Sequence, residues 1–210
     1  MNNIHPELIE EFATTADEER AIEILKAIVA YFMAIYDAER ELFLEDNKLD
    51  LPFDENEADS VRLDFMLYIT DLLTSIRTRT LRKIEEQQDS HDRVERATMT
   101  AYIMNLYQRI KETESVNAQQ IAQIEVVKKV QQTMPGAKIY KVWISKNDAD
   151  TCEICRALHG TVLPINQPFL VNGQIVSLDS GDEFIYEYID RQVAIAHPND
   201  RCRIDFFIEY

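Results

Sequence analysis

Apolar residues recur every three or four positions through most of residues 15–133, a pattern that predicts amphipathic helices. The first stripe runs from Ile22 to about Phe43, and the Thr15-Ala-Asp-Glu18 sequence before it is typical of a capping box at a helix N-terminus. Between residues 46 and 57, clustered acids and a proline interrupt the stripe, which predicts a loop. Three further helices are predicted at about residues 58–86, 94–111 and 117–133.

After Pro135-Gly136 the pattern changes to the alternation that is typical of β-strands. Residues 138–144 alternate in this way, and residues 169–176 place Asn172-Gly173 between two apolar runs, which predicts a β-hairpin. Shorter strands are predicted at residues 184–189, 193–196 and 204–208. We therefore predict an α+β fold, in which a domain of long antiparallel helices at residues 1–136 precedes a small β-rich module at residues 137–210.

Negative charge is concentrated in the N-terminal third, where acidic side chains far outnumber basic ones, while the whole chain has a net charge of −16. Such a chain offers no basic surface to phosphates, so we expect no contact with nucleic acid. The acidic third is most simply a solvated helix surface. The alternative is an acidic face that docks on a basic protein partner.

The pattern predicts neither a membrane span nor a secretion signal. No apolar run approaches the roughly 18 residues that a transmembrane helix needs, and the first residues lack the basic start and apolar stretch of a signal peptide. We therefore expect the chain to be made in a reducing cytoplasm, where a Cys-x-x-Cys sequence binds metal more often than it forms a disulfide.

All three cysteines lie near the C-terminal end of the chain, as Cys152-x-x-Cys155 and at the end of His197-Pro-Asn-Asp-Arg-Cys202. A Cys-x-x-Cys turn supplies two thiolates, and a remote His and Cys complete the four ligands of a tetrahedral structural zinc site. The segment between Cys155 and His197 is too long for a small zinc finger, but its length suits a β-subdomain between the two halves of the site. We therefore predict structural Zn²⁺ bound by Cys152, Cys155, His197 and Cys202.

Two other side chains compete for this assignment. His159 follows the Cys-x-x-Cys turn, and Asp200 lies between His197 and Cys202, so either could bind the metal. We favour a hydrogen-bonded loop role for His159, because the other four ligands already close a structural site. The two thiols of the turn could instead be unliganded or form a redox pair, but a redox pair favours a βαβ context that the pattern does not show.

A closed Cys₃His set leaves the metal without an open position for water or substrate, so we expect a non-enzymatic protein. The sequence contains no phosphate loop, dinucleotide fingerprint or His-Glu-x-x-His motif. The alternative is a zinc-dependent hydrolase or nuclease, in which His159 or Glu153 would act on a metal-bound water.

Four sequence motifs follow one another from Asn117 onward: the helix AQQIAQIE at residues 118–125, the strand KVWI ending at Ile144, Asp148-x-x-Thr-Cys-x-x-Cys-x-x-Leu-His-Gly160, and His197-Pro-Asn-x-Arg-Cys202. In this order they resemble the phage head morphogenesis or minor head protein family, which includes the Mu F-like proteins. That family often has Arg where this chain has Asp150, and it often ends in Cys-Arg-Cys. The second departure leaves one fewer thiol at that end, which favours Cys202 as the fourth ligand.

The resemblance implies a virion component that is assembled in the bacterial host cytoplasm and lies at the portal vertex or in the capsid interior. It implies the portal or the major capsid protein as partner, with a homo-oligomeric ring among the arrangements, and it implies no catalytic activity. A protein that is ejected with the DNA is a further alternative, which the net negative charge disfavours.

Overall fold

The computed structural model describes residues 5–51, 55–87, 93–134, 136–187, 190–196 and 200–209. Long helices come first and short antiparallel strands follow, so the predicted α+β class is confirmed. The elements are α1 (Pro6–Thr14), α2 (Glu18–Asp46), α3 (Glu55–Gln87), α4 (Arg93–Thr133), β1 (Lys138–Ile144), α5 (Glu153–Leu158), β2 (Val162–Pro164), β3 (Gln174–Ser177), β4 (Glu183–Tyr186) and β5 (Arg203–Glu209).

Helix α4 is continuous over 41 residues, so the prediction of two helices at 94–111 and 117–133 is wrong. The polar stretch between them suggested a break, but it contains neither proline nor glycine. Two hydrogen bonds to the buried carboxylate of Glu114 support the helix here. The amide of Asn117 donates to one carboxylate oxygen of Glu114 at 2.8 Å, and the hydroxyl of Tyr68 on α3 donates to the other at 3.1 Å. Satisfied hydrogen bonds allow a polar segment to remain helical inside a core.

The beginning of α2 also differs from the prediction. Thr15 was predicted as the cap, but α2 begins at Glu18 and Oδ1 of Asp17 accepts the N–H of Arg20 at 3.1 Å. Asp17 therefore occupies the capping position. The hydroxyl of Thr15 accepts the N–H of Asp17 at 3.2 Å, because Thr15 belongs to the tight connection after α1, a helix that the periodicity did not predict.

The chain forms two compact units, which divide within α2 and α4. The helical unit comprises Met1–Ala38 and Phe53–Ala118, and the β-containing unit comprises Glu39–Pro52 and Gln119–Tyr210. The change from helix to strand falls between Thr133 and Lys138, near the predicted boundary at residue 136. None of the described helices has the long, weakly charged apolar stretch that crossing a membrane requires.

Large apolar side chains from each of its four helices fill the core of the helical unit. The phenyl ring of Phe65 on α3 stacks on Tyr36 of α2 with ring centroids 6.1 Å apart. Other large apolar side chains buried in this core, among the described residues, include Ile9, Phe12, Ile24, Ile28, Phe32, Ile69, Leu73, Ile103 and Ile110. At its surface, Arg62 forms an ion pair with Asp37 at 3.2 Å.

The β-containing unit is built on a three-stranded antiparallel sheet with the order β2-β1-β5. The predicted strands at 138–144 and 204–208 are therefore confirmed as β1 and β5, which pair along their whole length from Lys138↔Glu209 to Ile144↔Arg203. One face of β1 is fully buried, and Trp143 on this face packs edge-on against Phe169 with centroids 5.3 Å apart.

The predicted hairpin at Asn172-Gly173 is wrong. That turn precedes β3 and is closed by Gln174 N–H donating to Val171 O, while β3 pairs with β4 across a second turn at residues 178–182. Gly181 has a φ of 89° there, a conformation that glycine adopts without strain. The predicted strand at 193–196 is also absent, because its backbone N–H groups bind side chains instead of a neighbouring strand. Of the predicted strand at 184–189, residues up to Tyr186 form β4, and residues 188–189 lie outside the described residues.

Candidate metal centre

The Cys-x-x-Cys sequence forms the beginning of α5. Cys152 is the N-cap, with an extended backbone, and its Sγ accepts the N–H of Cys155 at 3.3 Å. The turn therefore places both thiols on the same side of the chain. Cysteine binds a metal through its sulfur, as the thiolate.

The second half of the site comes from the loop that leads into β5. Oδ2 of Asp200 accepts the S–H of Cys155 at 3.2 Å and the N–H of Ala196 at 2.9 Å, while Oδ1 accepts the N–H of Cys202 at 2.8 Å. One carboxylate thus binds the backbone at Ala196 and at Cys202 and also contacts a thiol of α5. The hydrogen bond between Cys155 and Asp200 therefore joins two chain segments that are far apart in the sequence.

Cys155, Asp200 and Cys202 are buried, and their ligand atoms all lie within 4.8 Å of one another. Two donors of a tetrahedral metal with bonds of about 2.3 Å are roughly 3.8 Å apart, so a small inward movement brings this group to metal-binding distance. This group could therefore hold a metal ion. Cys152 lines the same small pocket, whose other lining residues are Lys146, Asp150, Thr151, Cys155, Asp200, Arg201 and Cys202.

No family model matches the chain, and the searches of curated proteins and of solved structures give no match either. The resemblance to head morphogenesis proteins therefore stays a prediction. The chemistry of this centre follows from its own geometry.

The structure brings together three of the four predicted ligands, since Cys152, Cys155 and Cys202 surround one pocket. The fourth, His197, lies outside the described residues. Asp200, which the sequence left as a competing ligand, is placed directly beside two of the thiols.

Without a cation the cluster disfavours ionisation of its central thiol. The pKa of Cys155 is raised far above its usual range. The largest cause is the hydrogen bond to Cys202, and burial and the negative charge of Asp200 contribute further. A bound divalent cation reverses this balance, because it stabilises each neighbouring thiolate directly. The cluster is therefore well suited to a cation and poorly suited to a reactive, unliganded thiolate.

His159 has a partner of its own in the described structure. Its Nδ1 accepts the N–H of Ser145 at 3.1 Å, which is the hydrogen-bonded loop role favoured from the sequence. The next residue, Gly160, has a φ of 77° and donates its N–H to Trp143 O at 2.8 Å. Through these two hydrogen bonds, the Leu-His-Gly segment that follows α5 contacts β1 and the residue after it.

Asp148 and Arg201 form a clip between the two halves of the centre, which the sequence analysis did not predict. The guanidinium of Arg201 donates to both carboxylate oxygens of Asp148, at 2.8 and 3.0 Å. Asp148 also accepts the hydroxyl of Thr151 at 3.0 Å. These hydrogen bonds lower the pKa of Asp148 to about 2, and the bond from Arg201 contributes most to this shift. Because Thr151 precedes Cys152 and Arg201 precedes Cys202, the clip joins the two segments that contain these cysteines.

We expect Asp148→Ala to weaken metal binding by roughly tenfold, as is usual when a group that orients the ligands is removed. Competition with a chromogenic chelator measures this. The matched control is Asp37→Ala, which removes a similarly exposed Asp–Arg pair, with Arg62 at 3.2 Å, from the helical unit, which contains no cysteine. Equal affinities of the two variants would show that the clip has no influence on the centre.

Gln120 is a second supporting residue that the sequence did not single out. Its side-chain amide donates to Cys202 O at 2.9 Å and its carbonyl oxygen accepts the N–H of Ala194 at 2.7 Å. In the sequence it is one of several glutamines on a helix, and only its burial among backbone groups distinguishes it.

Proposed function

We propose that this chain is a non-enzymatic structural protein of the phage head, of the minor head protein class. We propose further that Zn²⁺ crosslinks its β-containing unit by joining the Cys152–Cys155 segment to the segment with His197 and Cys202; we call this link the zinc staple. The burial of Cys155 and Cys202 beside Asp200, with Cys152 on the same pocket, supports the staple most directly. Three thiolates favour zinc over the hard cations magnesium and calcium, which prefer oxygen ligands.

For the fourth ligand we propose His197. Both carboxylate oxygens of Asp200 already accept backbone N–H groups, from Ala196 and Cys202. Asp200 then acts as a positioning residue. The resulting Cys₃His set is a common ligand set of closed structural zinc sites.

The role in the virion rests on the sequence resemblance and on charge. An acidic N-terminal third suits docking on a basic protein surface, and the net charge of −16 disfavours binding to DNA. In the proposed role the zinc-stapled unit contributes stability, and the portal or the major capsid protein is the partner.

The two candidate acid–base groups of a hydrolase are both occupied by local contacts. The carboxylate of Glu153 accepts the hydroxyl of Ser180 at 3.0 Å, and His159 accepts the N–H of Ser145. These bonds stabilise the loops around α5. We therefore favour the structural role over zinc-dependent hydrolysis.

The test is to purify particles of the virus that encodes the chain and to quantify the chain in them against the major capsid protein. We expect the chain to co-purify with intact particles in a small, fixed number of copies. Particles that lack the chain while the infected cell contains it would contradict the proposed role, even if the zinc site itself were intact.

A further inference from the structure

Strand β5 is at the edge of the three-stranded sheet. The order is β2-β1-β5, and within the described residues no strand pairs with the other edge of β5. An edge strand presents unpaired backbone N–H and C=O groups to another chain, and long edges invite such pairing. Strand β5 is much longer than β2, the other edge of the sheet.

The register identifies which backbone groups β5 presents. Trp143 on β1 donates its N–H to Thr161 O on the β2 side of the sheet, so odd-numbered residues of β1 face β2 and even-numbered ones face β5. Because Tyr140 pairs with Phe207, the odd-numbered residues of β5 bond to β1. The outward groups therefore belong to Ile204, Phe206 and Ile208.

We propose that β5 pairs in antiparallel fashion with β5 of a second copy of this chain, around a two-fold axis at Phe206. Such pairing joins two three-stranded sheets into one of six strands. It goes beyond the proposed head function and requires neither the metal nor a viral partner.

The hydrogen-bonding groups fit this axis. It places Phe206 opposite Phe206 of the second copy and Ile204 opposite Ile208 of the second copy, and these are the residues whose N–H and C=O groups face outward. Three pairs that each exchange two bonds give about six hydrogen bonds. An axis at Ile204 or Ile208 shortens the ladder.

The charges fit the same axis. Arg203 falls opposite Glu209 of the second copy, and the two-fold axis generates this pair twice. These are non-hydrogen-bonded positions, where opposite side chains lie closest. The side chain of Arg203 is 69% exposed, and its contact in the chain, Asp205, is also exposed. Phe207 and Ile208, which are 43% and 39% exposed, gain apolar contacts from the pairing. Self-complementarity of both charge and backbone favours a second copy as the occupant.

The test uses two charge reversals, Arg203→Glu and Glu209→Arg. Each alone places like charges opposite each other twice in the homodimer, and we expect each to raise the dimer dissociation constant by about tenfold or more. Mixing the two variants restores opposite charges at both positions of a heterodimer, so the mixture should dimerise as the wild type does. Glu183→Arg, a reversal on β4, is the matched control and should leave dimerisation unchanged.

Sedimentation velocity measures the association, and emission of Trp143 reports that each variant is folded. Hydrogen exchange should show protection of the amides of Ile204, Phe206 and Ile208 on dimerisation. A wild-type chain that is monomeric at about 0.1 mM, where a specific pair with a micromolar constant would be dimeric, overturns the proposal. A dimer or ring that neither charge reversal weakens also overturns the proposal. The contact between copies would then lie on another surface, and β5 would be available to pair with a strand of a different protein.

Discussion

If the β-containing unit binds the proposed Zn²⁺, chelation is expected to unfold this unit and to leave the helical unit folded. Metal binding is worth on the order of 10 kcal/mol of folding free energy in small zinc domains, comparable to the whole stability of a domain of this size. The only tryptophan, Trp143, is fully buried in this unit, so its emission should shift to the red while most of the helical circular dichroism remains.

The variant Cys155→Ser should reproduce the effect of chelation, because a hydroxyl can still donate to Asp200 but is a poor zinc ligand. A chelator should then have no additional effect on this variant, and added Zn²⁺ should not refold it. A tryptophan spectrum and melting curve that are insensitive to both chelation and Cys155→Ser would contradict a structural metal.

Two further variants decide the fourth ligand. If His197 is the ligand, His197→Ala should lose most of the zinc affinity, while Asp200→Asn, which keeps one of the two oxygens that accept backbone N–H groups, should lose less. The reverse order would assign the fourth position to Asp200. Zinc content after dialysis against a chelator of known affinity distinguishes these outcomes.

Lys141 is expected to make the stability of the β-containing unit rise with pH above neutrality. Its side chain is fully buried, its Nζ donates to O and Oε1 of Gln192 at 2.7 and 2.9 Å, and it lies 4.7 Å from the centre of the Phe169 ring. Burial, with a smaller contribution from the charge of Lys128, lowers the pKa of Lys141 from 10.5 to about 7.

The sign follows from proton binding. Between about pH 7 and 10.5 the unfolded chain keeps the Lys141 proton and the folded chain releases it, so the free energy of unfolding increases with pH across this window. At about 1.4 kcal/mol per pKa unit the full effect is at most about 5 kcal/mol. Urea unfolding of the zinc-loaded protein at several pH values measures it.

Lys141→Met should reduce the pH slope, because methionine fills the site without a titrating group. The matched control is Lys138→Met on the same strand, whose side chain is exposed and whose removal should leave the slope unchanged. Comparison of the two variants also removes the contribution of the Cys155–Asp200–Cys202 cluster, which is common to both. Identical slopes in wild type and Lys141→Met would show that the buried amine stays protonated.

The pattern of apolar and polar residues predicted those helices and strands whose conformation depends mainly on neighbouring residues in the sequence. The alternation at residues 138–144 is β1, and the change from helix to strand falls between Thr133 and Lys138, where the sequence predicted it. The pattern failed where distant contacts decide. Asn172-Gly173 is a strong hairpin signal, yet β3 pairs with β4 through the turn at Gly181, since a turn preference is worth less than the packing of a strand.

The sequence by itself determined that the chain is an α+β protein with long helices first, and that its three cysteines lie near its end in a spacing that favours a metal. Only the tertiary structure placed the Asp200 carboxylate against Cys155, and only it placed a lysine, Lys141, on the buried face of β1. The reason is physical. Periodicity and turn chemistry depend on near neighbours along the chain, while a ligand cluster, a buried charge and an open sheet edge depend on distant segments that meet only when the core forms.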